Sequence, residues 1–127
     1  MKTMTFVALM ILIAYAGVTT QQTGFTRTLL QQVDLSVAGR EAVTARAEFA
    51  PGGTVGRHTH FGEEIGYVIE GTISVEIDGV TRAVKAGEAF AIPAGKPHNA
   101  SNTGSGKAAI LATYIVEKGK PLATPVK

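Results

Sequence analysis

The 127-residue chain has three histidines, His58, His60 and His98, and no cysteine. His58 and His60 are separated by one residue, a spacing that puts both imidazoles on the same face of a strand. A carboxylate, Glu64, follows within four residues, and His98 arrives much later, just after a proline-containing turn. A borderline metal ion accepts imidazole and carboxylate together, and a shell of nitrogen and oxygen without sulfur suits Fe, Mn, Ni, Co, Cu or Zn. The chemistry expected of these residues is the holding of one divalent transition metal ion. Absence of cysteine excludes disulfides, thiolate catalysis and any Cys-ligated zinc site. With three histidines committed to a metal, none is left as an independent general base, which argues against a Ser-His-Asp hydrolase.

The residues around the histidines follow two fixed patterns. Gly52 is followed after five residues by His58-Thr59-His60, after three more by Glu64, and after six more by Gly71. Gly87 is followed after five residues by Pro93-Ala94-Gly95, after two by His98, and after three by Asn102. This pair of patterns resembles the two motifs of the cupin superfamily, in its small single-domain form, and every fixed position matches. The resemblance covers Gly52 to Asn102 directly. It implies an all-β fold, a double-stranded β-helix or jelly-roll barrel of the RmlC-like kind. It also implies that His58, His60, Glu64 and His98 are the metal ligands. Glu63 competes with Glu64 for the carboxylate role, but the six-residue distance to Gly71 selects Glu64. As a catalytic residue, Glu64 is expected to serve as a base as well as a ligand if it leaves the metal. Asn102 is expected to satisfy backbone groups near a turn. The implied function is a metal-dependent enzyme, dioxygenase-like, isomerase or lyase, acting on a small organic molecule. The alternative is a protein of the cell envelope that binds a metal or small ligand without turnover.

The elements that must position these residues read as short strands. Val43, Ala45, Ala47 and Phe49 alternate with Thr44, Arg46 and Glu48, and Pro51-Gly52-Gly53 is expected to end that strand. Ile73, Val75 and Ile77 alternate with Thr72, Ser74 and Glu76. Asp78-Gly79 is a two-residue hairpin signal, after which Val80 to Lys85 returns. Ala86-Gly87 turns again, Phe90 and Ile92 form another short strand, and Ala108 to Glu117 reads as a long final one. Gly52, Gly71, Gly87 and Gly95 stand where sharp turns call for positive φ. Glu64, Gly66 and Val68 are expected to face the interior together, with Gly66 leaving room near the metal. Phe49, Val68, Phe90, Ile92 and Tyr114, with the small Ala45, Ala47 and Ala100, are expected to outline a modest apolar pocket.

Length and composition suit one domain. Hydrophobic residues make up 45% of the chain, so it is not disordered by composition. The net charge of +2 comes from scattered basic residues with few aromatics among them, so no nucleic-acid stripe is present. Lys2, the apolar run Phe6 to Ala14, and the small residues of Ala14-Tyr15-Ala16 occur in the order of a signal peptide. The run is too short to span a bilayer comfortably. The expectation is cleavage near Ala16, no stable membrane anchor, a secreted or periplasmic location, and a single domain over 17–127 with its barrel core at about 28–117. Gly17 to Thr26 reads as a polar lead-in, and Pro121 and Pro125 mark a tail. Ile65 to Ile69 and Ile110 to Val116 are apolar on both faces, which calls for a cover on the outer side. A second subunit is the expected cover, making a homodimer, with a small-molecule ligand as the other partner.

Overall fold

The computed structural model describes residues 23–127. The expected signal peptide and the start of the lead-in lie outside the described residues. Ten strands follow in order: β1 Thr23–Asp34, β2 Arg40–Thr54, β3 His58–Thr59, β4 Gly62–Glu70, β5 Thr72–Ile77, β6 Val80–Lys85, β7 Ala89–Ile92, β8 His98–Ser101, β9 Ala108–Glu117 and β10 Thr124–Pro125. Every strand pairing is antiparallel, and no helix occurs among the described residues. β1, β2, β9, β4 and β7 lie side by side, and β10, β3, β8, β5 and β6 form a second run joined to the first where Thr54 pairs with Ser101. The result is a nearly closed, barrel-like sheet, the jelly-roll architecture.

Alternation along the strands explains the core. Val43, Ala45, Ala47 and Phe49 of β2, Ile73 and Val75 of β5, Phe90 and Ile92 of β7, and Ile110, Ala112, Tyr114 and Val116 of β9 are all buried on the inner face. The hairpin between β5 and β6 is the two-residue turn expected, with Ile77 opposite Val80 and both Asp78 and Gly79 at positive φ. The four motif glycines also have φ between 71° and 88°.

Three local expectations change. β2 does not end at Pro51-Gly52-Gly53 but runs on to Thr54. Those residues are where β2 exchanges partners: the β1 register shifts there, and Gly52 and Gly53 bond to the backbone of Asn102. The residues act as a bend that carries one strand from the first run of strands to the second. β1 begins at Thr23, so the last residues read as lead-in are strand, laid along β2. Gly66 is buried, but the room it leaves is filled: a Cβ there would stand 2.2 Å from the Phe90 ring. Gly66 therefore admits a core aromatic rather than opening space at the metal.

The outer faces of β4 and β9 are left uncovered by the described chain. Ile65, Tyr67, Ile69 and Leu111 are all exposed, although β1 pairs with β2 and the tail pairs through β10 with β3.

Candidate metal centre

His58 and His98 are cross-strand partners at the paired ends of β3 and β8. His60 follows β3 directly, and Glu64 sits on β4 opposite Ile92 of β7 and Tyr114 of β9. One ligand atom from each of His58, His60, Glu64 and His98 lies within 4.8 Å of all the others, and all four residues are buried. The imidazole centroids are 4.2 to 4.9 Å apart. The structure thus brings together all four residues singled out in the sequence. Glu63 lies on the opposite, exposed face of β4, as strand alternation requires.

The backbone fixes which nitrogen each ring turns inward. Nδ1 of His58 donates to the carbonyl of Gly56 at 2.7 Å, and Nδ1 of His98 to that of Lys96 at 2.8 Å. Nδ1 of His60 donates to the carbonyl of Leu122. A neutral imidazole that donates through Nδ1 carries its lone pair on Nε2. Nε2 of His60 and of His98 then point at the same Glu64 oxygen, at 3.1 and 3.2 Å. Lone pairs facing a carboxylate repel unless a proton or a cation stands between them. Outer nitrogens tied to carbonyls and inner lone pairs aimed at one point are the arrangement metal-ligating histidines adopt. The donor set present here therefore fits a divalent transition metal ion.

The electrostatics point the same way. Burial pushes His58 down to about 4; the hydrogen bond to Gly56 opposes this, and the neighbouring His98 and His60 add to it. His58 is therefore neutral at physiological pH and free to ligate. Burial would raise Glu64, but wherever Nε2 of His60 or His98 carries a proton, the hydrogen bond and charge it supplies outweigh burial and bring the carboxyl to about 2; a metal ion would take that proton's place. Glu64 is thus anionic throughout the physiological range. Burial, and then the Glu64 charge, push the Tyr114 hydroxyl well above its ordinary range against the opposing charge and hydrogen bonding of the nearby Arg27 guanidinium, so it stays protonated.

A cavity opens beside these ligands. Phe49, Phe90, Tyr114, Ala47 and Ala100 line it, as the sequence suggested. Val68, Ile92 and Ala45 are buried core residues that do not. Five liners were missed: the apolar Val55, Val75 and Ile110, and two from β1, Phe25 and Arg27. No motif marks the β1 pair, and the only available signal was the alternation of Phe25, Arg27 and Leu29. The tail residue Leu122, which supplies the carbonyl that orients His60, was missed for the same reason. Asn102 is structural, as expected. Fully buried, it donates to the carbonyls of Phe49, Ala50 and Gly106 and accepts from the amide of Gly104.

Comparison with known proteins agrees with this geometry. The family model described as a cupin domain matches residues 45–114. The HTH-type transcriptional regulator PuuR of Escherichia coli (strain K12) is 43% identical over 67 residues, 52% of this chain but only 36% of that protein. A structure of oxalate oxidase in complex with the substrate analogue glycolate superposes with a TM-score of 0.67 at 31% identity, covering 85% of this chain and 57% of the other. The polyketide cyclase RemF from Streptomyces resistomycificus does so with a TM-score of 0.67 at 28% identity, covering 85% and 75%. The chain matches only about a third of the length of its curated relatives. With the family model spanning more than half of its residues and both cupin motifs converging on one buried cluster, the chain belongs to the cupin domain family.

Proposed function

We propose that the protein is a metal-dependent enzyme acting on a small organic molecule, with one divalent transition metal ion (Fe, Mn, Ni, Co, Cu or Zn) held by His58, His60, Glu64 and His98. The observation that carries this is the convergence of three inward-facing Nε2 atoms and one carboxylate oxygen beside a cavity. Such an ion supplies Lewis acidity or redox chemistry. The protein's own part is to hold the ligands neutral or anionic, to keep an apolar wall of Phe49, Phe90 and Ile110 against water, and to present the Tyr114 hydroxyl with its proton. Similarity to an oxalate oxidase and a polyketide cyclase supports an enzyme. Dioxygenase-like, isomerase and lyase chemistry are its classes. Glu64 is proposed primarily as a ligand. Its low proton affinity makes it a weak base, so a base role requires that it first leave the cluster.

The test is metal content of the purified protein by mass spectrometry, followed by oxygen uptake and product mass across flavonols, β-diketones and small hydroxy or keto acids. Turnover lost in His98→Ala supports the enzyme. Metal uptake without turnover across that panel supports the second reading, a non-catalytic binding protein. The observation favouring that reading is the match to 36% of the length of a protein named as an HTH-type transcriptional regulator. We also propose that the protein works outside the cytoplasm, secreted or periplasmic, and as a homodimer. The segment 1–16 supports the first and the bare outer face of β4 and β9 the second.

A further inference from the structure

Among the described residues Arg27 is the single Lys or Arg side chain lining the cavity, and the proposed function leaves it unused. It enters from β1, where it pairs with Ala47 of β2, whose side chain is buried in the interior. Its guanidinium carbon lies 5.2 Å from the centre of the Phe25 ring and 5.6 Å from that of Tyr114. Two aromatic faces thus hold the group in place. Tyr114 in turn packs on His60, at 4.8 Å between ring centroids. Arg27 is therefore one ring away from a ligand histidine. Its Nε is buried and has no hydrogen-bond partner. A buried donor of a charged group left unmade is costly and needs a compensating acceptor. Among the described residues the rest of the cavity wall offers no free anion, since Glu64, the one carboxylate on it, belongs to the metal cluster.

We infer that Arg27 is a specificity-determining residue that binds the carboxylate of a small organic acid, whose other donor reaches the metal held by His58, His60, Glu64 and His98. This deepens the proposed function and rests on its metal site. Charge agrees with the assignment. A divalent ion with one carboxylate ligand leaves one positive charge, and Arg27 adds another, so the cavity favours an anion. Geometry agrees too, because a guanidinium offers a planar pair of donors that matches a carboxylate. Size narrows the class further. The free space inside is only about 10 Å³, roughly room for one water, so any acid enters only as side chains lining the cavity move aside, and the shortest acids demand the least movement.

The test is calorimetric titration of the metal-loaded full chain with glycolate, oxalate and pyruvate, each beside its neutral amide, with metal content scored on the same samples. Wild-type protein is expected to bind one or more acids at least tenfold more tightly than the matching amide. Arg27→Gln is expected to keep its metal and its melting temperature within a few degrees and to lose that preference. Arg27→Lys is expected to recover part of it, an outcome a merely structural arginine would not produce. Equal binding of acid and amide by metal-loaded wild type, or an acid preference untouched in Arg27→Gln, overturns the inference and leaves the metal site standing. Protein that takes up none of the transition metals overturns the metal site and this inference with it.

Discussion

A histidine ligand is only as good as the bond behind it. Each imidazole here is anchored through Nδ1 to a backbone carbonyl, of Gly56, Leu122 or Lys96, so rotation of any ring would break a hydrogen bond. Losing an outer partner of this kind typically costs about 10–100-fold in metal affinity. Removing the ligand itself should cost more. His98→Ala is therefore expected to lower metal retention after dialysis by over about 100-fold, whereas Glu63→Gln, on the exposed face of β4, should retain the wild-type amount. Both are read by metal stoichiometry. Protonation opposes the same site. His58 falls from 6.5 to about 4 on folding and Glu64 from 4.5 to about 2, so each binds protons more readily in the unfolded chain. Their stabilising contribution is complete above about pH 6.5 and is lost as pH falls, His58 between 6.5 and 4 and Glu64 between 4.5 and 2. For His58 the loss is about 3 kcal/mol. Metal-free protein should thus show falling denaturation midpoints from pH 7 to pH 4, and the rise in Tm on adding metal should shrink over the same interval. A flat profile would mean that these rings are solvated and free. The four ligands were legible because their types and spacing are constrained by coordination. Arg27 was not, because an arginine on an edge strand has the same local sequence whether it faces solvent or a cavity.

The strands carry these residues by register. Gly66 of β4 pairs with Phe90 of β7, and the aromatic ring lies where a Cβ would stand. Gly66→Ala should therefore force Phe90 and β7 outward and cost about 1–3 kcal/mol or more in chemical denaturation. Because Glu64 lies two residues before it on the same face, metal affinity should fall with stability. A variant as stable as wild type would show that the Phe90 ring has somewhere else to go. Most elements are legible in the sequence. The alternation of Thr72–Ile77 and the Asp78-Gly79 turn specify the β5–β6 hairpin locally, and β9 spans Ala108–Glu117 as its apolar run indicated. What was not legible depends on distant pairing. Pro51-Gly52-Gly53 looks like a strand end, yet β2 continues because β1 and β8 supply partners on its far side. The proline-marked tail looks like loose chain, yet it forms β10 against β3 and gives Leu122 to His60. Truncation after Gly119 removes that carbonyl and the β10–β3 pairing together. It is expected to weaken metal binding by about 10–100-fold with a smaller effect on strand content, as read by metal titration and circular dichroism.

For the molecule as a whole the unspent feature is a sheet face that the described residues leave bare. Tyr67 and Leu111 are cross-strand partners on the outside of β4 and β9, and Ile65 and Ile69 extend the apolar surface along β4. Ile65, Tyr67, Ile69 and Leu111 are each 38 to 49% exposed, far above what large apolar side chains clustered on one sheet normally keep in water. Covering such a face with a second copy takes about 800 Å² from each partner, about a tenth of the 8523 Å² surface found here. A twofold axis through the face would bring the same patch against itself and close the assembly at two. The rim is suited to this, since Arg46 and Glu48 on β2 already pair at 3.3 Å and stand exposed for a partner's opposite charge. Light scattering on the protein without its first 16 residues should give twice the chain mass at micromolar concentration. Tyr67→Lys combined with Leu111→Lys should halve that mass. Because both residues point away from the cavity, the double variant should still take up metal as the wild type does. A wild-type monomer would leave the patch unexplained by self-association, and a double variant that lost its metal would show that the two faces of this sheet are coupled rather than independent.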